Sequence, residues 1–262
     1  MFSFFLNIYI WVINLFKVGD LVSRISHGND VVFKIAKIID NKAYLKGINV
    51  RLCADSDLED LILVSESDDT DEEKFYEKLE TIRNFERSDY FYIPGKILHI
   101  DGDREYLNRC LDFYKKANVL AIGVYSPENE MAANVVKYLE DTKPDIVVIT
   151  GHDSNIKNNS KFFSEATKAC RRFQKDYDKL IIIAGACQSD YELLIKSGAN
   201  FASSPKKINI HALDPAIIAL SLSLSDKNKD IDLLELLSKT SGGKDGIGGV
   251  YTKGVMTTGY PR

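Results

Sequence analysis

His152 and Cys187 are the two residues whose types and setting fit covalent chemistry on a carbonyl carbon. His152 follows Gly151 at the end of the run Ile146–Thr150, and Cys187 follows Gly185 and Ala186 at the end of Leu180–Ala184. Neither run alternates with polar residues, which is expected of parallel strands covered on both faces. Open α/β sheets bind their ligands at the carboxyl ends of the strands. Adjacent strands lie ~4.8 Å apart, so if these two are neighbours an imidazole and a sulfur enter one crevice. A helix over Tyr191–Lys196 would turn free N–H groups and a positive dipole end towards Cys187, favouring a thiolate. His152 could then serve as base and later as acid.

The remaining Cys and His residues act as controls. Cys110 shares a helical face with Tyr106, Leu107, Leu111 and Tyr114, and Cys170 shares one with Phe162, Ala166 and Phe173; both read as core. Cys53 near a strand end and His27 in a polar turn read as structural. His99 lies inside a strand and reads as a buried, hydrogen-bonded ring. His211 opens the segment after the fifth strand, near the same rim, and is the rival base.

These residues need a frame. Over 94–225 strand-like runs (96–100, 119–125, 146–150, 180–184, 200–203) alternate with helical ones (106–116, 129–139, 161–173, 191–196). That alternation predicts right-handed crossovers and a doubly wound, mainly parallel sheet. Residues 17–64 carry short β-branched runs separated by polar turns and fit a small barrel of SH3-like size. The intervening 65–93 reads as a linker. Six of the eight residues from Glu66 to Glu73 are acidic, followed by helical spacing of Phe75, Leu79, Ile82 and Phe85. In 226–262 a short helix at 233–237 precedes a Gly-rich stretch, 242–249. It lacks a phosphate-binding pattern and reads as a mobile loop.

Residues 1–16 form an apolar extension, shorter than the ~20 residues that span a bilayer. They lack the basic start and small-residue cleavage site of a secretory signal. An upstream extension from a misassigned start, an interfacial segment and a helix packed on the body all fit. A cytoplasmic protein is the default.

Composition narrows the classes. The 262 residues hold 34 Lys plus Arg and 38 Asp plus Glu, a net charge of −4, with 45 % hydrophobic and 27 % charged residues. A mildly acidic chain with no basic cluster argues against nucleic-acid binding. Four widely spaced Cys argue against a disulfide scaffold, and the lack of a C-x-x-C pair argues against zinc. No metal and no cofactor are expected, and membrane partners are not.

The motif blocks Val18-Gly-Asp-Leu-Val-Ser-Arg24, Pro94-Gly-Lys-Ile-Leu-His-Ile-Asp-Gly-Asp103, Asp145-Ile-Val-Val-Ile-Thr-Gly-His-Asp153, Ala184-Gly-Ala-Cys-Gln-Ser189, Gly198-Ala-Asn-Phe-Ala-Ser-Ser-Pro205 and Asn209-Ile-His-Ala-Leu-Asp-Pro215 make the chain resemble the YabG family of sporulation-specific proteases from residue 17 onward. The resemblance implies a cysteine endopeptidase made in the mother cell. It would trim spore coat and cortex-related proteins, prefer Arg before the cut and associate with the coat. Cys187 as nucleophile and His152 as its dyad partner, read from the strand tips, fit that activity. A looser resemblance to caspase, legumain and gingipain-like peptidases rests on the same two strand tips. In those enzymes Gly follows the His and its amide helps bind the oxyanion; here Asp153 stands there, so backbone N–H groups of Cys187 and Asp153 are the expected donors.

A preference for Arg calls for a carboxylate at the bottom of a pocket. Asp101 and Asp103, past the first strand, are placed to supply it, with Asp190 and Asp153 in reserve. Asp101-Gly102-Asp103 also reads as a turn and a helix N-cap. Two competing classes share the pattern: a receiver-like, non-enzymatic signalling module and a Cys-dependent hydrolase of small amides. The receiver pattern falters where a phosphoacceptor Asp should end the third strand and Thr150 stands instead.

Overall fold

The computed structural model describes residues 16–64, 76–79, 91–153 and 159–259. The apolar residues 1–15, the acidic run and most of the linker's helical spacing lie outside them. The chain divides into two compact units, Met1–Thr70 and Asp71–Arg262.

The first unit is a five-stranded sheet: β1 (Leu21–Arg24), β2 (Phe33–Ile39), β3 (Lys42–Gly47), β4 (Cys53–Asp57) and β5 (Leu61–Leu63). The order is β4-β3-β2-β1-β5, with every neighbouring pair antiparallel. Alternate residues Phe33 and Ile35, and Ala43 and Leu45, point into a core shared with Val22, Leu58 and Leu61. The sequence reads 44–52 as one strand. The chain instead leaves β3 at Gly47, whose N–H is taken by the Leu52 carbonyl at 2.8 Å, and β4 starts anew at Cys53. The Cys-Ala-Asp-Ser-Asp composition of β4 hides it from any apolar pattern.

In the second unit β6 (Phe91–Ile93) pairs with the C-terminal β13 (Thr257–Gly259) as an antiparallel ribbon. The main sheet follows as β7 (Ile97–Asp101), α1 (Arg104–Lys116), β8 (Ala121–Tyr125), α2 (Glu128–Thr142), β9 (Ile146–Thr150), α3 (Ser160–Phe173), β10 (Ile181–Ala184), α4 (Tyr191–Lys196), β11 (Phe201–Ser203), α5 (Asp214–Ser223), α6 (Leu233–Ser238), α7 (Gly243–Gly246) and β12 (Ile247–Gly249). The spatial order is β12-β11-β10-β9-β7-β8. Counted from β7, the parallel strands run 2-1-3-4-5, one of the two common doubly wound orders. β12 adds an antiparallel edge.

Both faces are covered, so the strands need no polar alternation. Ile146, Val148, Ile181 and Ile183 pack with α1, α5 and α6. Val147, Ile149, Ile182 and Ala184 pack with α2, α3 and α4.

Two elements depart from the sequence reading. α5 is buried at every position, so it shows no polar face and no 3.6-residue period. The Gly-rich stretch is α7 and an edge strand rather than a mobile loop. At Gly249 a Cβ would lie 2.4 Å from the Phe201 ring, so the strand must lack side chains to reach β11.

Candidate active site

The strand order reverses between β7 and β9, and it is at the carboxyl ends flanking such a reversal that open α/β sheets bind ligands. Asp101 ends β7 fully buried. Its Oδ2 accepts the Thr150 hydroxyl at 2.9 Å and its Oδ1 accepts the Asp103 N–H at 2.9 Å. Having given its proton to Asp101, Thr150 Oγ1 accepts from His99 Nε2–H at 3.0 Å. His99 Nδ1 then accepts the Tyr114 hydroxyl at 3.0 Å. The strand tip is thus built on a satisfied polar chain inside the sheet.

Asp103 uses its two oxygens differently. Oδ1 caps α1 by accepting the Glu105 and Tyr106 N–H groups at 2.9 and 3.2 Å. Oδ2 lies 3.0 Å from His152 Nε2. A carboxylate only accepts, so Nε2 carries the proton and the neutral ring has its lone pair on Nδ1. The imidazole side chain is 11 % exposed and leans on the Tyr106 ring, centroids 5.2 Å apart. Its backbone N–H donates to Glu128 Oε1 at 3.0 Å. The Glu128 carboxylate roofs the two tips, close enough to Gly102 and Gly151 that a Cβ at either would strike it.

Asp153, next along, is 2 % exposed, and its carboxylate is wholly engaged. Oδ1 accepts the Asn159 N–H at 2.9 Å; Oδ2 accepts the hydroxyls of Ser160 and, at 2.9 Å, Ser189. The Ser189 bond joins the loop after β9 to the loop after β10. These strands are paired in parallel, Ile149 opposite Ala184.

The second loop turns sharply. Gly185 has φ +108°, and a Cβ there would meet Leu194 at 2.8 Å and Ser203 at 3.2 Å, so only glycine fits. Gln188 takes a left-handed φ of 59° beside Cys187. Ser189 Oγ accepts the Ala186 N–H at 2.9 Å, and Ser204 Oγ accepts the Gln188 N–H at 3.1 Å. Cys187 is fully buried. Its Sγ accepts the Ile210 N–H at 3.3 Å and donates to the Ile210 carbonyl at 3.5 Å.

The segment before α5 therefore covers the sulfur. It is strapped to the Cys187 loop by Lys207 Nζ, 2.8 Å from the Ser189 carbonyl. The same segment touches α1, where Cys110 Sγ lies 3.7 Å from the Ala212 carbonyl, one turn along from Tyr106.

His211 adjoins Ile210, but its Nδ1 accepts the Leu213 N–H at 3.1 Å. Its neutral ring then bears its proton on Nε2 and has no lone pair left to take a thiol proton. Asp214 accepts the His211 and Ser241 N–H groups and the Ser241 hydroxyl. Burial outweighs those bonds and raises its pKa. Asp190 is exposed and caps α4 through the Leu193 N–H at 3.0 Å.

Of the controls, Cys110 and Cys170 are fully buried. Burial pushes the Cys170 thiol up to about 12. Glu128 is absent from the sequence reading although it follows the tip of β8, where the strand-end rule points. Ser189 and Ser204 are too ordinary a residue type to signal anything. Among the described residues no helix is long and apolar enough to cross a membrane, and no three His, Cys, Asp or Glu gather as metal ligands.

A thiol, an imidazole and carboxylates thus follow adjacent strand ends, where open α/β sheets place their ligands. Comparison with known proteins supplies the family. The model described as YabG peptidase U57 matches residues 17–261. The sporulation-specific protease YabG of Bacillus subtilis (strain 168) is 38 % identical over 284 residues, covering 94 % of this chain and 98 % of that protein. The chain belongs to the YabG peptidase family, and that membership makes it a sporulation protease. An ABC transporter permease structure from the Pseudomonas fluorescens group aligns at 20 % identity over 48 % of this chain and 25 % of its own. Its TM-score of 0.25 is too low to bear on fold or function.

Proposed function

We propose that the chain is a cysteine endopeptidase that cleaves spore coat and cortex-related proteins after Arg, working in the mother cell and at the coat. The observation that carries the reading is the Asp153–Ser189 bond. It fastens together two loops that hold His152 and Cys187, one and two residues away. The two strand tips, after the third and fourth parallel strands, support the resemblance to caspase-type peptidases. The antiparallel first unit is read as a small SH3-like barrel that presents substrates.

In this mechanism His152 Nδ1 takes the Cys187 proton and the sulfur attacks the scissile carbonyl carbon. The resulting oxyanion is held by the backbone N–H groups of Cys187 and Asp153, each worth ~10²–10³ in rate. The Asp153 carboxylate faces Ser160, Ser189 and Asn159, which directs its charge away from that oxyanion. The imidazolium protonates the leaving amine, then activates water to release the acyl group. The reacting carbon must approach to ~3–3.5 Å, so the segment over Cys187 has to move aside.

Asp101 is buried and Asp103 is committed to His152 and α1. The substrate guanidinium therefore falls to Asp190, exposed three residues past Cys187, with Glu128 as the other rim carboxylate. The test is to incubate a coat-protein mixture with the wild type and with Cys187→Ala, then sequence the new N-termini. Arg before each new terminus, with Cys187→Ala inert, is expected. Cleavage by Cys187→Ala, or cuts with no Arg before them, would refute the proposal.

A further inference from the structure

We infer that Asp103 is a positioning residue for His152, so that the site works as a carboxylate–imidazole–thiol series rather than a bare dyad; this rests on His152 being the base. The sheet order sets the series. Asp103 follows β7, His152 follows β9 and Cys187 follows β10, three strands side by side. The 3.0 Å contact from Nε2 to Oδ2 fixes the tautomer that leaves the lone pair on Nδ1.

When the Cys187 proton moves to Nδ1, the ring becomes an imidazolium that keeps its Nε2–H on Asp103. When Nδ1–H passes to the leaving amine, the ring returns to its starting form. Asp103 itself gains no proton. Its carboxylate is held by its own bonds to the Glu105 and Tyr106 N–H groups, and the preceding turn is anchored by the buried Asp101.

The other groups around the ring do not replace it. Glu128 meets the His152 backbone N–H rather than the imidazole. Asp153 is turned to Ser160, Ser189 and Asn159. Arg109 lies 6.0 Å from the centroid of the Tyr106 ring that His152 packs on.

Capping and positioning separate by substitution. Asp103→Asn keeps an oxygen for the α1 cap but loses the charge facing Nε2. The readouts are kcat and KM on an Arg-ending fluorogenic peptide, and the ring titration of His152 by NMR in the Cys187→Ala background. Four His residues give four curves, and His152→Ala assigns the relevant one. The expectation is a loss of kcat of about 10²-fold or more with little change in KM. The His152 pKa should fall by about one unit or more. Asp103→Ser, also a good cap, should behave alike. An unchanged kcat and titration in both variants, with thermal midpoints retained, would make Asp103 a cap only. Activity surviving in His152→Ala would instead sink the reading on which this rests.

Discussion

The Asp153 carboxylate accepts the Ser189 hydroxyl at 2.9 Å, and through this bond the histidine loop and the cysteine loop form one body. Ser189 in turn accepts the Ala186 N–H at 2.9 Å, so the turn that carries Cys187 is braced by the same hydroxyl. Ser189→Ala should cost about 1–3 kcal/mol, because it leaves buried partners unsatisfied. It should also lower kcat/KM by ~10-fold or more by loosening the two loops. Denaturant melts and peptide hydrolysis on the same samples check both effects.

The two candidate bases differ in which nitrogen is committed. His152 offers Nδ1 because Asp103 takes Nε2–H, whereas His211 gives its Nδ1 to the Leu213 N–H. His152→Ala should reduce peptide cleavage by at least ~10²-fold, and His211→Ala should leave kcat within ~10-fold of the wild type. The opposite ranking in steady-state assays would exchange their roles.

The strap over Cys187 should govern how readily the sulfur reacts. Lys207→Ala removes the bond from Nζ to the Ser189 carbonyl and should speed alkylation of Cys187 by iodoacetamide ~10-fold or more, on the order of one lost hydrogen bond to a charged group. Cys170, its thiol pushed up to about 12 by burial, should stay unmodified at pH 8. Peptide mapping after timed alkylation measures each site.

Asp214 should leave a mark on the pH dependence of stability. Burial raises its carboxyl pKa above the usual 3.8. The folded state therefore binds that proton more tightly than the unfolded chain, and the resulting stability is present below 3.8 and lost as pH rises through the folded value. Asp214→Asn removes the titration and keeps one of the two oxygens that accept the His211 and Ser241 N–H groups. Urea midpoints of wild type relative to this variant should fall as pH is raised above 3.8. Parallel curves would exclude the effect.

The β9 and β10 tips are legible because a strand buried on both faces leaves an unbroken β-branched run, and Ile146–Ile149 and Ile181–Ile183 are such runs. The strand-end rule directed attention to the residues at those ends. α5 was not legible, since burial on all sides erases the helical period that its N-terminal Asp214-Pro215 alone cannot replace. β12 was not legible either, because Gly249 is set by contact with Phe201 and Gly248 by contact with Tyr191, both distant in sequence. Asp103 reads as a helix cap from its local sequence. Its second bond, to His152, depends on strand order and becomes visible only when β7 and β9 lie side by side.

The proposed role of Cys187 as nucleophile is tested by labelling with an Arg-ending peptidyl electrophile, followed by intact mass and peptide mapping. One equivalent on Cys187 is expected, with labelling abolished in Cys187→Ala and strongly slowed in His152→Ala. Stoichiometric labelling of another residue in the wild type, or undiminished labelling of Cys187→Ala, would contradict the account.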